Sequence, residues 1–68
     1  MSQAVDWTLS RATHTLKCVA EATSAGAVRL SVYMDDLAVR IRLCRHASEA
    51  AELSRHIRRE WEGCGWSA

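Results

Sequence analysis

The chain has 68 residues and a mass of 7.6 kDa, which allows one small domain and excludes a multidomain enzyme with separate cofactor-binding and substrate-binding halves. Apolar residues make up 49% of the chain and charged residues 25%, a composition typical of folded proteins and not of disordered ones. The net charge of +1 argues against an extended phosphate-binding surface unless the positive charge is gathered on one face.

The first periodic segment predicts an amphipathic helix over about residues 6–23. Apolar side chains recur there at intervals of three and four residues, as one face of a helix requires. They are Val5, Leu9, Ala12, Leu16 and Val19. Gly26 follows at a position suited to ending this helix.

The apolar period then changes to two, which predicts a β-hairpin with strands at about 27–34 and 37–44. A two-residue turn at Asp35 and Asp36 sets the register, and a looser four-residue connection is the alternative. In the tight register every apolar side chain faces another across the hairpin. The expected pairs are Met34 with Leu37, Val32 with Val39, Leu30 with Ile41 and Val28 with Leu43.

The last segment predicts a second amphipathic helix over about residues 47–62. Its apolar face is formed by Ala50, Leu53, Ile57 and Trp61. Ser48 is a suitable N-terminal cap, and glycines that follow Glu62 end the helix. Trp66 is expected to fold back onto the last turn.

These elements predict one α+β domain over residues 1–68 in the order helix, strand, strand, helix (αββα). Both helices are expected on one face of the hairpin, because a two-stranded sheet is marginally stable alone. Each strand would keep an unpaired edge. We therefore expect a homodimer that either extends the sheet or packs helices across a twofold axis.

Cysteine and histidine usage predicts neither a disulfide framework nor a metal centre. Three cysteines cannot all pair within one chain, and an odd count without an export signal favours free thiols in a reducing cytoplasm. The closest potential ligand pairs are His14 with Cys18 and Cys44 with His46, whereas structural zinc needs four ligands in close pairs. We expect no cofactor and no membrane partner, and a role of Cys18, Cys44 or Cys64 as ligands stays open.

The outer face of the predicted hairpin carries three arginines and one aromatic ring. In the expected register Arg29 opposes Arg42, and Arg40 and Tyr33 lie on the same face. Opposed like charges destabilise a strand pair, and an anionic partner would relieve the repulsion. The alternative is that these arginines only keep the strand soluble and discourage edge-to-edge pairing.

Two tryptophans add a second interaction signal. Trp7 and Trp66 lie off the main apolar faces and near the chain ends, where each is either an exposed anchor for a partner or a cover for the small core. Trp61 falls on the apolar face of the second helix and is predicted to lie in the core.

The sequence therefore predicts a small non-enzymatic module that binds another protein with an acidic surface. An inhibitor or adaptor is the expected type, and phage origin with a host or defence protein as target is one form of this hypothesis. The alternative is a small RNA- or DNA-binding regulator that uses the same Arg29, Arg40, Arg42 and Tyr33 face. Catalysis is not expected, because Ser54 and His56 point apart on a helix and no oxyanion-forming loop accompanies His14 and Cys18.

Overall fold

Four antiparallel strands and one helix make up residues 3–68, which the computed structural model describes apart from the side chain of Ser24. The strands form one sheet in the order β1-β2-β3-β4, and the helix packs on one face of it against β3 and β4. A 3-10 turn at Ser24–Gly26 joins β2 to β3. The elements are β1 (Gln3–Arg11), β2 (His14–Ala22), β3 (Val28–Met34), β4 (Leu37–Cys44) and α1 (Ala47–Glu62).

The predicted αββα architecture is wrong, because residues 6–23 form most of β1 and β2 instead of a helix. The apolar residues that fit a helical period also pair across two strands, and Leu9 lies opposite Leu16 with both side chains fully buried. Four of the 18 residues in this segment are threonines, whose branched side chains favour strands. One helix on a four-stranded sheet thus replaces two helices on a hairpin.

The predicted strands of the second hairpin are present, and the tight turn between them is confirmed. Asp35 and Asp36 have φ values of 51° and 70°, and two successive positive φ values are what a type I′ turn requires. The predicted pair of Met34 with Leu37 forms next to this turn.

Beyond the turn the register shifts by one residue at a β-bulge, and Val39 is the extra residue. The other three predicted pairs are therefore wrong: Leu30 lies opposite Arg42 instead of Ile41, and Val32 lies opposite Arg40. Because side chains alternate between the two faces of a strand, the shift moves Ile41 and Leu43, which lie beyond the bulge, to the face away from α1. The observed partner of Val28 is Cys44.

Helix α1 matches its predicted bounds and its predicted apolar face. Its cap is His46 and not Ser48, since the Nδ1 atom of His46 accepts a hydrogen bond from the backbone N–H of Glu49. Trp66 folds back as expected and meets Trp61 edge-on, with ring centroids 5.8 Å apart and an interplanar angle of 84°.

The core lies between α1 and the sheet face that it covers. Side chains from β1, β2, β3, the end of β4, α1 and the C-terminal residues contribute to it. Its buried members are Trp7, Leu9, Leu16, Cys18, Leu30, Val32, Cys44, Ala50, Ile57 and Trp66. The opposite face of the sheet has no second layer within residues 3–68.

Replacing Ala12 by glycine is expected to raise the free energy of unfolding by about 0.5–1 kcal/mol. Ala12 lies in the turn between β1 and β2 with φ 53°, where a Cβ atom costs about 1–2 kcal/mol. This strain exceeds the entropy that glycine loses on folding, about 0.5–1 kcal/mol. Urea unfolding would measure the change. The control Ala38→Gly, inside β4, should be destabilising, and a destabilised Ala12→Gly variant would contradict the account of this turn.

Candidate functional site

Exposed apolar side chains are concentrated on the edge strand β4. Among residues 3–68, five large apolar side chains are strongly exposed, and four of them belong to β4. They are Leu37 (71% exposed), Val39 (44%), Ile41 (56%) and Leu43 (70%). We name this strand, with its side chains and its outward backbone groups, the β4 edge.

The bulge at Val39 determines which face each side chain of the β4 edge occupies. Residues directly opposite each other in an antiparallel pair share a face of the sheet. Ile41 lies opposite Ser31 and Leu43 lies opposite Arg29, on the face away from α1. Arg42 lies opposite the buried Leu30 and is therefore on the side of the sheet that α1 occupies.

One edge of the sheet is protected against pairing with a further strand, and the other is open. The edge strand β1 is interrupted by a bulge at Asp6, and two backbone hydrogen bonds of 2.7 and 3.0 Å join Ser10 to Ser67. These features protect β1 against pairing with another strand. Within residues 3–68 no segment pairs with the outer side of β4, so about half of its residues present unpaired N–H and C=O groups.

The centre of the face away from α1 is already covered by its own side chains. Val19 and Ser31 lie there on the two inner strands, yet they are only 8% and 7% exposed. On the same face, the cross-strand pairs on either side of Val19 and Ser31 have longer side chains, which contact each other across β2 and β3. These pairs are Arg29 with Glu21, an ion pair, and Lys17 with Tyr33, whose ring centroid is 5.7 Å from the ammonium nitrogen. The β4 edge is therefore the main uncovered apolar surface, and Val5 on β1 is the one other strongly exposed large apolar side chain in residues 3–68.

The structure does not bring the four residues of the predicted arginine face together. Arg29 and Tyr33 lie on the face away from α1, and Arg29 is paired with Glu21 instead of opposing Arg42. Arg40 and Arg42 lie on the α1 side, where the bulge has moved them. The register error explains the difference, because the predicted face assumed unbroken alternation along β4.

Trp7 and Trp66 are not exposed anchors, since only 7% and 6% of their surfaces are accessible. Both belong to the core cluster. The indole Nε1–H of Trp7 donates a hydrogen bond of 2.9 Å to Ser54 Oγ, which satisfies its polar group inside the core. The interpretation of these residues as core covers is the one that the structure supports.

The buried Ser54 is the centre of a hydrogen-bond network that sequence reasoning missed. Its hydroxyl accepts from Trp7 and donates to Asp6, and the Cys18 Sγ atom lies 3.9 Å from its Oγ atom. The extra residue of the β1 bulge is Asp6, whose carboxylate reaches α1. No sequence signal identifies this network, because the bulge that aligns its members has no motif.

The buried thiols of Cys18 and Cys44 have the properties of structural cysteines. Burial raises the pKa of the Cys18 thiol, against the opposing effect of its contact with Ser54. Burial also raises the pKa of Cys44. A raised pKa lowers the thiolate fraction at neutral pH and with it the nucleophilicity. Across residues 3–68 no three His, Cys, Asp or Glu side chains converge as a metal site.

A groove of about 310 Å³ lies between the start of α1 and the sheet. Its walls are mostly alanine methyl groups, and its one charged side chain is Asp6, which already accepts a hydrogen bond from Ser54. The groove therefore offers shape but no uncommitted polar group to orient a ligand.

Hydrogen bonds to Asp35 attach the turn between β3 and β4 to the start of β2. His14 Nδ1 lies 2.5 Å from Asp35 Oδ2, and the backbone N–H of Thr15 donates to Asp35 Oδ1 over 3.0 Å. The hydrogen bond from His14, followed by that from Thr15, lowers the pKa of Asp35. The carboxylate form is thus favoured in the folded protein.

Acidification is expected to destabilise the protein as this carboxylate is protonated. A carboxyl group whose pKa is lower in the folded state contributes stability above its unfolded pKa of about 3.9, and this is lost as the pH falls through the folded pKa. Urea unfolding at pH 7 and pH 3 should show a smaller loss for Asp35→Asn than for the unmodified chain. Asp36→Asn, in the same turn, should keep the full loss. Equal losses for both variants would contradict this role of Asp35.

Comparisons with protein-family models, with curated proteins and with solved structures found no match for this chain. In the described part of the chain, no helix is long and apolar enough to cross a membrane. The narrower hypotheses of an inhibitor, an adaptor or a phage origin gain no support from residues 3–68, and we withdraw them. Function has to be argued from the β4 edge itself.

Proposed function

We propose that this protein is a non-enzymatic protein-binding module that captures an extended segment of another protein on the β4 edge. The observation that carries the proposal is the concentration of exposed large apolar side chains on one unpaired strand. Proteins normally protect such an edge, and β1 in this chain is protected by a bulge and by Ser67. An apolar edge left open next to a closed one favours a binding role.

Strand addition matches what the β4 edge offers. Outward N–H and C=O groups of β4 supply main-chain hydrogen bonds, and alternate side chains of the partner pack against those of β4. Ile41 and Leu43 lie on the face away from α1, where covering them stabilises a complex by on the order of 1 kcal/mol each. Backbone pairing provides affinity, and the side chains provide selectivity.

A cytoplasmic location and the absence of catalysis belong to the same proposal. The cysteines Cys18, Cys44 and Cys64 are all unpaired thiols, which suits a reducing compartment. Burial of Cys18 and Cys44 favours a packing role for both. We propose that the protein acts by binding through its surface and not through a reactive side chain.

Site-specific photo-crosslinking in the organism that encodes the chain tests this proposal. A photoreactive residue at Ile41 or Leu43 should give discrete protein adducts, because both positions would face the captured segment. Thr8 is a matched control position, since it is exposed and on the same face of the sheet but lies on β1. No adducts from β4, or the same adducts from Thr8, would overturn the proposal.

The composition of the adducts separates the proposal from its competitors. Adducts that disappear after nuclease treatment would favour the nucleic-acid alternative and contradict protein binding. Adducts at twice the mass of this chain would assign the β4 edge to the predicted homodimer and overturn capture of another protein. Adducts of other masses that resist nuclease support the proposal as stated.

A further inference from the structure

We propose that the segment captured by the β4 edge is acidic, with carboxylate side chains alternating with apolar ones. This inference rests on the proposed function of the β4 edge and specifies the chemistry of its partner. It follows from the two faces of the regular part of β4, which bear different kinds of side chain. Arg40 and Arg42 occupy one face, and Ile41 and Leu43 occupy the other.

The positions of Arg40 and Arg42 are established by their cross-strand partners. Val32 and Leu30 are only 1% and 2% exposed and face α1, so the arginines opposite them lie on that side of the sheet as well. Both arginines belong to the edge strand, where a further strand would lie directly beside them. An added antiparallel strand would place every second side chain next to Arg40 and Arg42.

Positive charge on this side of β4 is only partly neutralised within the chain. Arg40 Nη1 lies 3.5 Å from Glu60 Oε1, and Glu60 is shared with His56, whose Nε2 atom is 3.6 Å away. Arg42 has no ion pair in the described part of the chain. Glu49, near the end of β4, accepts a hydrogen bond from the backbone N–H of Arg45. The edge therefore retains guanidinium groups that a partner can satisfy.

Carboxylates on the partner strand fit this arrangement better than other side chains. Oppositely charged residues directly across a strand pair stabilise it, and a guanidinium group binds a carboxylate through two parallel hydrogen bonds. Apolar residues between the carboxylates would cover Ile41 and Leu43 on the other face. The partner pattern is thus acidic, apolar, acidic, apolar, in extended conformation.

A second copy of this chain fits the same edge poorly. About a twofold axis at Arg40, Ile41 or Arg42, in the regular part of the strand, pairing of β4 with β4 brings arginines of the two copies face to face. Like charges directly opposite each other are destabilising. Charge complementarity therefore favours a different, acidic chain as the occupant.

A panel of three peptides tests the inference by titration against isotopically labelled protein, with amide chemical shifts as the readout. The acidic probe is Glu-Val-Glu-Val-Glu-Val-Glu, and glutamine or lysine replaces glutamate in the other two. We expect shift changes centred on β4, with the acidic peptide binding about tenfold more tightly than the glutamine peptide at low salt. The lysine peptide should bind most weakly.

Variants of the protein assign the preference to Arg40 and Arg42. The double variant Arg40→Gln with Arg42→Gln should bind the acidic and glutamine peptides with similar affinity. The matched control Arg55→Gln with Arg59→Gln removes the same charge from exposed positions of α1 and should keep the tenfold preference. Circular dichroism of both variants would verify that they fold.

The outcomes distinguish this inference from the proposed function. Equal binding of acidic and glutamine peptides at β4 would overturn the acidic partner and leave strand capture standing. A preference that survives in the Arg40 and Arg42 variant, or disappears in the α1 control, would also overturn it. Failure of all three peptides to shift any β4 amide would contradict strand capture itself.

Discussion

Replacing Ile57 by alanine is expected to lower the free energy of unfolding by about 2–5 kcal/mol, the range for truncating a buried aliphatic side chain. Ile57 is fully buried at the centre of the apolar face of α1. Small domains are stabilised by only about 5–15 kcal/mol in total, so this change removes a large share of the stability. Urea unfolding monitored by circular dichroism would measure it.

The matched control for this truncation is Ile41→Ala, which removes the same atoms from an exposed position on β4. It should change the free energy of unfolding by no more than about 0.5 kcal/mol, as other surface substitutions do. Similar losses from both variants would contradict the placement of the core between α1 and the sheet. A larger loss from Ile41→Ala would contradict the exposure of the β4 edge as well.

Replacing Ser54 by alanine is expected to lower the free energy of unfolding by about 1–3 kcal/mol, because it leaves the buried Trp7 Nε1–H without an acceptor. The hydroxyl also donates to Asp6, so one substitution breaks two contacts between α1 and β1. Chemical denaturation would measure the loss. The substitution leaves only a small cavity, since it removes one oxygen atom. The loss of stability therefore reports mainly on the hydrogen bonds.

A double-mutant cycle isolates the contribution of the Trp7 contact. Trp7→Phe removes the indole N–H, so Ser54→Ala should cost less in that background than in the unmodified chain. Equal costs in the two backgrounds would contradict an energetic link between these residues. The cycle would also show how strongly α1 is attached to the first hairpin of the sheet.

The elements of the second half of the fold could be predicted from sequence, although most of the register between β3 and β4 could not. A large aliphatic or methionine side chain recurs at every second residue on each side of the Asp-Asp turn, and the period of α1 is regular from Ala50 to Trp61. In the first half, Leu9 and Leu16 are seven residues apart, which fits two helical turns and also fits facing positions across a tight hairpin. Their pairing across β1 and β2, with both side chains buried in the core, is what the structure adds to this ambiguous spacing.

The candidate site could be predicted only in part, because a one-residue bulge reverses the faces of a strand. The alternation of Leu37, Val39, Ile41 and Leu43 predicts that these residues face the core, and nothing in their order indicates the extra residue at Val39. Sequence reasoning identified the open edge of β4, but its prediction of an open edge on the other hairpin strand is wrong, because β3 is an inner strand that pairs with β2. It could not place Arg40 and Arg42 on the α1 side, since that depends on the register of the whole sheet.

The most direct test of strand capture is amide hydrogen exchange at β4 in the presence of the Glu-Val peptide. The N–H groups of β4 that point away from β3 should exchange rapidly in the unbound protein and slow markedly when the peptide pairs with them. We predict slowing at alternate residues between Arg40 and Cys44, with β1 unchanged. Binding that leaves these amides unprotected, or that protects β1 instead, would contradict the account.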